Sequence, residues 1–310
     1  MKVLDDVIKQ VITQVTDYDY VKSKVSGEYV QILNDEIKRK GRIIEIKNAN
    51  ILYIIGDIHG DLNTLRHILS KVSIDSLRKG DIGLVFLGDY IDRGLNQLEV
   101  FTSVLEIKSM FPDSITLLRG NHEPPKNLIP YPHDFPNELV MRFGYDRGLR
   151  LYEEFSKLFD LLPHVAYVRD QILMVHGGLP TVTYQRAQTL YEYFTGINER
   201  DYQQVLEEVL WNDPIEANIV STPSPRGAGQ LFGLKVTEWF TKKFNFKLIV
   251  RGHEPIDSGY KFNHRDRVLT LFSRLGPPYF NTSAAYLNIR LDIADWFDKV
   301  KSFIKLIQAK

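Results

Sequence analysis

Seven side chains suited to metal or proton chemistry recur in one local context. Asp57 and His59 stand in Gly56-Asp57-Ile58-His59-Gly60, Asp89 in Gly88-Asp89-Tyr90-Ile91-Asp92-Arg93-Gly94, and Asn121 and His122 in Gly120-Asn121-His122-Glu123. His176 stands in His176-Gly177-Gly178 and His253 in Arg251-Gly252-His253-Glu254. Asp57, Asp89 and Asn121 are each 32 residues apart. Two aspartates, an asparagine and three histidines exceed what one ion takes and suit two. A pair of ions roughly 3.5–4 Å apart clamps the attacking and leaving oxygens of a phosphoester displacement. One carboxylate must then bridge them, and Asp89, central among the motifs, is the expected bridge. His67, His133, His164 and His264 fall outside this context and are expected to be solvated or core residues.

Each motif follows an apolar run: Ile51–Ile55, Ile82–Leu87, Ile115–Leu118, Ile172–Val175 and Leu248–Val250. Runs of this length without alternation predict strands covered on both faces, as in largely parallel sheets between helices. Ligands bind in the crevice beyond the carboxyl ends of such strands, and glycine turns let the backbone approach them closely. Five strand ends are therefore expected to point at one site.

The connecting segments read as follows. Val3, Leu4, Val7, Ile8, Val11, Ile12 and Val15 predict an amphipathic helix over residues 3 to 16, and residues 27 to 40 a second, followed by an apolar segment at Ile43–Ile46. Asp61 caps a helix through Leu62, Leu65, Ile68 and Leu69; another runs through Leu98, Phe101 and Leu105 and stops before Pro112. Residues 124 to 140 are proline-rich and predict a surface loop that shapes substrate access. A helix over 149 to 162 uses Leu149, Tyr152, Phe155, Phe159 and Leu162 as its inner face. Residues 212 to 230 have linker composition, but ligand turns on both sides argue for one body, so residues 1–310 are expected to form a single domain. From Val268 onward, alternation such as Leu287, Ile289 and Leu291 suggests antiparallel strands, and 293 to 307 fits either helix or strand.

Composition narrows the chemistry. The chain has 310 residues, 44% apolar, with 39 basic and 39 acidic side chains and no cysteine. Disulfides, thiolate metal sites and cysteine nucleophiles are excluded, so any metal is held by oxygen and imidazole. The balanced charge and lack of a basic aromatic stripe disfavour a nuclease or another nucleic-acid partner. No apolar run approaches a membrane span, and Asp5 and Asp6 interrupt any leader, so the expected address is the cytoplasm.

Taken together these motifs resemble the phosphoprotein phosphatase family of serine/threonine phosphatases, in order over about residues 27 to 290. Trp211-Asn212-Asp213-Pro214 and Arg226-Gly227 before Phe232-Gly233 add to the likeness. Gly-Asp-x-His-Gly alone is shared across the calcineurin-like metallophosphoesterases, whereas the second motif with Asp92 and Arg93 narrows the match. The resemblance implies an α/β fold, a central β-sandwich of two mixed sheets flanked by helices. It implies one metal on Asp57, His59 and Asp89 and another on Asp89, Asn121, His176 and His253. His122 would be the general acid, oriented by Asp92. Arg93 and Arg226 would grip the phosphate oxygens, with Asn121 and Tyr279 beside them in the substrate pocket. The implied activity is hydrolysis of phosphoserine and phosphothreonine in proteins by direct attack of a metal-bridging hydroxide.

The ligand types suit manganese first, with iron or zinc as alternatives. A carboxylate behind His122 should fix its tautomer and raise its pKa. Arg251 fits a structural salt bridge as well as a functional role. The family's Ser-Ala-Pro-Asn-Tyr-like segment is replaced by Phe272-Ser273-Arg274-Leu275-Gly276-Pro277-Pro278-Tyr279-Phe280, so that Phe280 stands where a cysteine often follows. The proline-rich loop after His122 departs from the eukaryotic type-1 and type-2A pattern, which leaves regulatory subunits an open expectation. The alternatives are a related hydrolase of dinucleoside polyphosphates and, less favoured, a non-catalytic metal-bound scaffold.

Overall fold

A computed structural model describes residues 4–47 and 49–309. The motif strands fail to alternate because both of their faces are covered. In the strand Ile51–Ile55, Leu52 and Ile54 point into an apolar layer between two sheets, while Tyr53 and Ile55 point the other way, under helices. Ile82–Phe86 repeats the division, with Val85 inside and Leu84 and Phe86 outside. In the facing sheet Ile172, Met174, Leu248 and Val250 fill the shared layer, and Leu173, Val175 and Ile249 pack under a second group of helices. The layers are thus helix, sheet, sheet, helix, a β-sandwich of two mixed sheets.

One sheet runs Ile304–Gln308, Ser283–Arg290, Ile51–Ile55, Ile82–Phe86, Ile115–Leu117. The other runs Ile43–Glu45, Val165–Val168, Ile172–Val175, Leu248–Arg251, Val268–Leu271, Tyr260–Asn263. The expectation of largely parallel sheets holds for one block of each sheet and for the edge pair Ile43–Glu45 and Val165–Val168. The three strands Ile51–Ile55, Ile82–Phe86 and Ile115–Leu117 are parallel, as are Ile172–Val175, Leu248–Arg251 and Val268–Leu271. An antiparallel strand borders the first block on one side, and antiparallel strands border the second on both. The parallel blocks carry all five ligand turns at their carboxyl ends. There the two sheets are stitched together: Ser273 N donates to Asp57 O (3.1 Å), Gly56 N to Ser273 Oγ (2.8 Å), and Asp57 pairs with Phe272 as an isolated bridge.

Leu4–Gln14 is the expected first helix; Val3, assigned to it by pattern, lies outside the described residues. The second helix is Val30–Lys40, entered through a wider π-helical turn at Lys24–Tyr29. Asp61 caps Leu62–Leu69 by accepting from Thr64 N (3.0 Å), and Gln97–Met110 ends before Pro112. The proline-rich segment is not all loop, because a helix spans Phe135–Phe143. Pro136 is tolerated in its first turn, where the missing N–H has no helical partner to lose. The next helix is Tyr145–Phe159, four residues earlier than its periodicity suggested, and Leu149, assigned to its inner face, is 36% exposed. The linker-like stretch forms a small sheet of Asp213–Pro214, Gln230–Phe232 and Ser221–Pro223. The ambiguous tail resolves both ways, a turn of helix at Val300–Phe303 followed by the strand Ile304–Gln308. No helix among the described residues is long and apolar enough to cross a membrane.

The helix Gln97–Met110 is anchored by a buried cation. Lys108 Nζ donates to Glu36 Oε1 (2.7 Å) and to the carbonyls of Pro112 (2.8 Å) and Ile115 (2.7 Å), and both charged side chains are 1% exposed. Burial pulls the Lys108 amine below its usual range, against the opposing pull of Glu36. Lys108→Met strands the Glu36 carboxylate, and breaking such a pair costs about 3–5 kcal/mol. Lys40, 3.5 Å from the same carboxylate, places the expected loss at the low end. Urea midpoints should show that loss, with most of it recovered when Glu36→Leu is added.

Candidate active site

The five strand ends bring the ligand side chains into one buried cluster. His59 Nε2 lies 3.4 Å from Asp89 Oδ2 and 4.0 Å from Asp57 Oδ2, and His176 Nε2 lies 3.4 Å from Asp89 Oδ1. Asn121 Oδ1 is 2.9 Å from His176 Nε2 and 2.8 Å from His253 Nδ1. Asp89 takes part in two groups of potential ligands, with His59 and His122 on one side and with His176 and His253 on the other. Its membership of both groups is the geometry that a shared carboxylate would need. Two glycines let the backbone close on the carboxylates: a Cβ at Gly120 would stand 2.2 Å from Asp89 Oδ1, and one at Gly252 would stand 2.3 Å from Asp57 Oδ1. Any other residue there would expel the ligand oxygen.

The donor chemistry fits cations. His59 Nδ1 lies 2.7 Å from the carbonyl of Ile91 and His176 Nδ1 lies 2.9 Å from that of Leu87. A carbonyl only accepts, so each ring carries its proton on Nδ1 and turns a bare Nε2 inward. Burial drives both imidazoles well below their usual range, which keeps them neutral. His176 Nε2 and Asn121 Oδ1 therefore face each other as two acceptors. Burial likewise pushes Asp57 and Asp89 up, and for Asp89 the charge of Asp57 adds to it. Lone pairs and carboxylates converging without a cation of their own are what divalent ions neutralise.

A cleft of about 470 Å³ opens onto this cluster. Its walls include His59, Asp89, Asn121, His122 and His253 together with Arg93, Arg226 and Tyr279, so every cleft-facing residue singled out in the sequence is brought together there. Asp57 and His176 lie deeper, at 1% and 0% exposure. His122 Nδ1 is 2.5 Å from Asp92 Oδ2, which leaves Nε2 as the ring nitrogen free of Asp92. The expected rise in the His122 pKa is not found. Asp92 pulls it upward, but burial outweighs that pull and the net shift is downward. Burial also acts to raise Asp92, yet hydrogen bonds and charge from His122 and His133 prevail and hold it below the usual carboxylate range.

Arg226 Nε donates to Asp213 Oδ2 (2.7 Å), and Arg93 Nη2 to the carbonyl of Tyr131 (3.3 Å). The Tyr279 ring stacks 6.0 Å from His59, lies under the Arg274 guanidinium at 5.1 Å, and has its hydroxyl pushed up to about 12 by burial.

Several residues matter that sequence reasoning left without a role. The buried Glu123 carboxylate accepts the N–H groups of Asp89 (2.9 Å), Tyr90 (2.8 Å) and Gly120 (3.0 Å), tying two ligand turns together. Asp213 bridges Arg226 to Arg251, which lies 2.7 Å from Asp213 Oδ1 and 2.5 Å from Glu254 Oε2. Arg251 is therefore a buried structural ion pair that steadies Arg226 from behind. Both acids stood inside the quoted motifs, and that position was the available signal. His133, set aside as a solvated or core residue, instead contacts Asp92, with Nδ1 2.7 Å from Oδ2. His264 is structural, between Thr237 and the carbonyl of Ile215, and His164 is buried in the body.

A family model described as calcineurin-like phosphoesterase matches residues 52–257, from the first motif strand through the last ligand turn. Among solved structures, a protein serine/threonine phosphatase from Saccharomyces cerevisiae, described as similar to human phosphatase PP5, is 24% identical with a TM-score of 0.75. That match covers 95% of this chain and 90% of that one. A cold-active protein-tyrosine phosphatase from a psychrophilic Shewanella species is 17% identical with a TM-score of 0.53, over 79% of this chain and 77% of that one. At these identities both are likenesses of fold.

If the cluster holds divalent ions, dialysis against a chelator should lower the melting temperature, and returning manganese should restore it. A ligand at about 100 times its Kd contributes about 2.7 kcal/mol. Elemental analysis should find about two ions per wild-type chain and a clear deficit in Asp89→Asn. A melting temperature indifferent to chelator, with no bound metal, would contradict the assignment.

Proposed function

Because this chain belongs to the calcineurin-like phosphoesterase family, we propose that it is a protein phosphatase of the phosphoprotein phosphatase type, hydrolysing phosphoserine and phosphothreonine monoesters. Phosphoester hydrolysis comes with the family; the protein substrate is our reading. Asp57, His59 and Asp89 would hold one divalent ion and Asp89, Asn121, His176 and His253 the other, with manganese the first choice from their oxygen and imidazole donors. Such a pair, when bound, neutralises phosphate oxygens and makes a nucleophile of water near neutral pH.

The protein's own residues supply the rest. Arg93 and Arg226 line the cleft and offer planar forks that match phosphate oxygens. Arg226 is held for this by Asp213, and Arg93 by the Tyr131 carbonyl. His122, fixed through Nδ1 on Asp92, presents Nε2 to the departing oxygen and protonates it from its charged form, which Asp92 favours against the pull of burial. With no cysteine in the chain and no side-chain nucleophile assigned in the cluster, no covalent phosphoenzyme is part of this scheme.

The observation that carries the substrate class is the His122–Asp92 pair opening on the same cleft as both arginines. A seryl or threonyl alkoxide is a very poor leaving group and needs a proton as it departs. A phenolate, with a conjugate-acid pKa of about 10, needs it less, and the phosphate leaving a polyphosphate needs it least. An oriented general acid therefore favours alkyl monoesters over phosphotyrosine and dinucleoside polyphosphates. Regulatory subunits and a cytoplasmic address remain part of the proposal.

Manganese-dependent phosphate release from a panel of phosphoserine, phosphothreonine and phosphotyrosine peptides and a dinucleoside polyphosphate tests this reading. The alkyl monoesters should turn over fastest; faster hydrolysis of the polyphosphate would overturn the substrate assignment. His122→Asn should keep its metal content and lose about 10²–10⁴ in kcat on a phosphoserine peptide, the range for losing a general acid. Undiminished turnover in that variant would remove His122 from the mechanism.

A further inference from the structure

Asp92 serves two histidines, and only one of them lines the cleft. Its Oδ2 lies 2.5 Å from His122 Nδ1 and 2.7 Å from His133 Nδ1, while its Oδ1 accepts the N–H groups of Asp134 (2.8 Å) and Phe135 (2.9 Å) at the start of the helix Phe135–Phe143. On the far side of the second imidazole, His133 Nε2 is 2.7 Å from Tyr152 Oη. A carboxylate only accepts, so His133 carries its proton on Nδ1, and its bare Nε2 accepts from the tyrosine hydroxyl. Every polar atom of the His133 ring is thus used, in a single tautomer, on a line from Tyr152 through His133 to Asp92. The His133 side chain is 8% exposed and Asp92 is fully buried, so water does not compete for these bonds.

We propose that His133, held by Tyr152, is a positioning residue for the reaction: it fixes the Oδ2 edge of Asp92 so that the His122 ring is aimed at the leaving oxygen. The assignment rests on the phosphoester-hydrolase reading given above. Its physical basis is the torsion of the Asp92 carboxylate. Backbone donors pin one oxygen, and two imidazoles share the other. Without His133 the second oxygen keeps a single partner, and the space beside it admits water and rotation. The same short segment also reaches the phosphate side of the cleft, where Arg93 N donates to Asp134 Oδ2 (3.1 Å). The part of the proline-rich stretch that the pattern assigned to a surface loop is therefore a brace behind the acid.

The test compares wild type, H133A, H133N and Y152F on a phosphoserine peptide and on p-nitrophenyl phosphate. His122 acts on the leaving group, so misaiming it should slow release of the alkoxide and spare the nitrophenolate, which departs without a proton. H133A should lose about tenfold in kcat on the peptide at unchanged KM, the lower end for losing an outer hydrogen-bond partner of a site residue. On p-nitrophenyl phosphate its loss should stay within about threefold. H133N, whose side-chain amide can donate where Nδ1 did, should recover most of the peptide activity. Y152F, which keeps the ring and removes one hydroxyl, should show the same asymmetry at smaller size. Equal losses on both substrates, no loss, or no recovery in H133N would overturn the positioning role. A wild type inactive on both substrates would remove the hydrolase reading and this inference with it; an active wild type with flat variants removes the role of His133 alone.

Discussion

Asp57 and Asp89 sit at 1% exposure where the carboxyl ends of two sheets meet, and burial pushes both toward the neutral form. Carboxylates in that position are tolerated when a compensating charge is part of the structure. The surroundings supply hydrogen bonds to hold them: His253 N reaches Asp57 Oδ1 at 2.9 Å, and His122 N reaches Asp89 Oδ1 at 2.9 Å. The inward-facing atoms of His59, His176 and Asn121, however, are lone pairs. Divalent ions would resolve this, and the local structure leaves room for them: glycines at Gly120 and Gly252, and the His59 and His176 rings locked into one tautomer by backbone carbonyls.

The backbone contributes its own strain. His59, Asp89, Asp92, Arg93 and His253 all have φ between 43° and 72°, in the left-handed region that side chains other than glycine seldom enter. Each such residue costs on the order of 1–3 kcal/mol and persists only where neighbours hold it. Glu123 does part of that holding through three backbone N–H groups, and Gln97 Oε1 accepts from Asp92 N at 2.8 Å. Stability is given up at the ligand turns and recovered in the layers beneath them, where Leu52, Ile54, Val85, Ile172 and Val250 are completely buried.

Much of this was legible in the chain. Because strands buried on both faces read as unbroken apolar runs, Ile82–Phe86 and Ile172–Val175 announced themselves, and a metal-capable side chain, Asp89 or His176, follows each within three residues. What pattern could not carry was the assembly. The alternation at Leu287 and Ile289 suggested an antiparallel strand, but which strand Ser283–Arg290 pairs with depends on connections far apart in sequence, and its place beside Ile51–Ile55 had no local sign. The helix beginning at Phe135 was hidden by prolines that are harmless in a first turn. His133 was passed over because its neighbours are not glycines and no apolar run precedes it. Its role depends on Asp92, 41 residues away in sequence and 2.7 Å away in space. The direction of the His122 shift was missed for a related reason: the opposing charge is visible in the sequence, and the depth of burial that outweighs it is not.

In the proposed site Asp89 is shared by two ions held by six side chains from five strand ends. Anomalous diffraction from crystals grown with manganese tests it most directly. Two peaks about 3.5–4 Å apart are expected, one bordered by Asp57 and His59, the other by Asn121, His176 and His253, with Asp89 between them. A single peak, or peaks lying away from Asp89, would contradict that sharing.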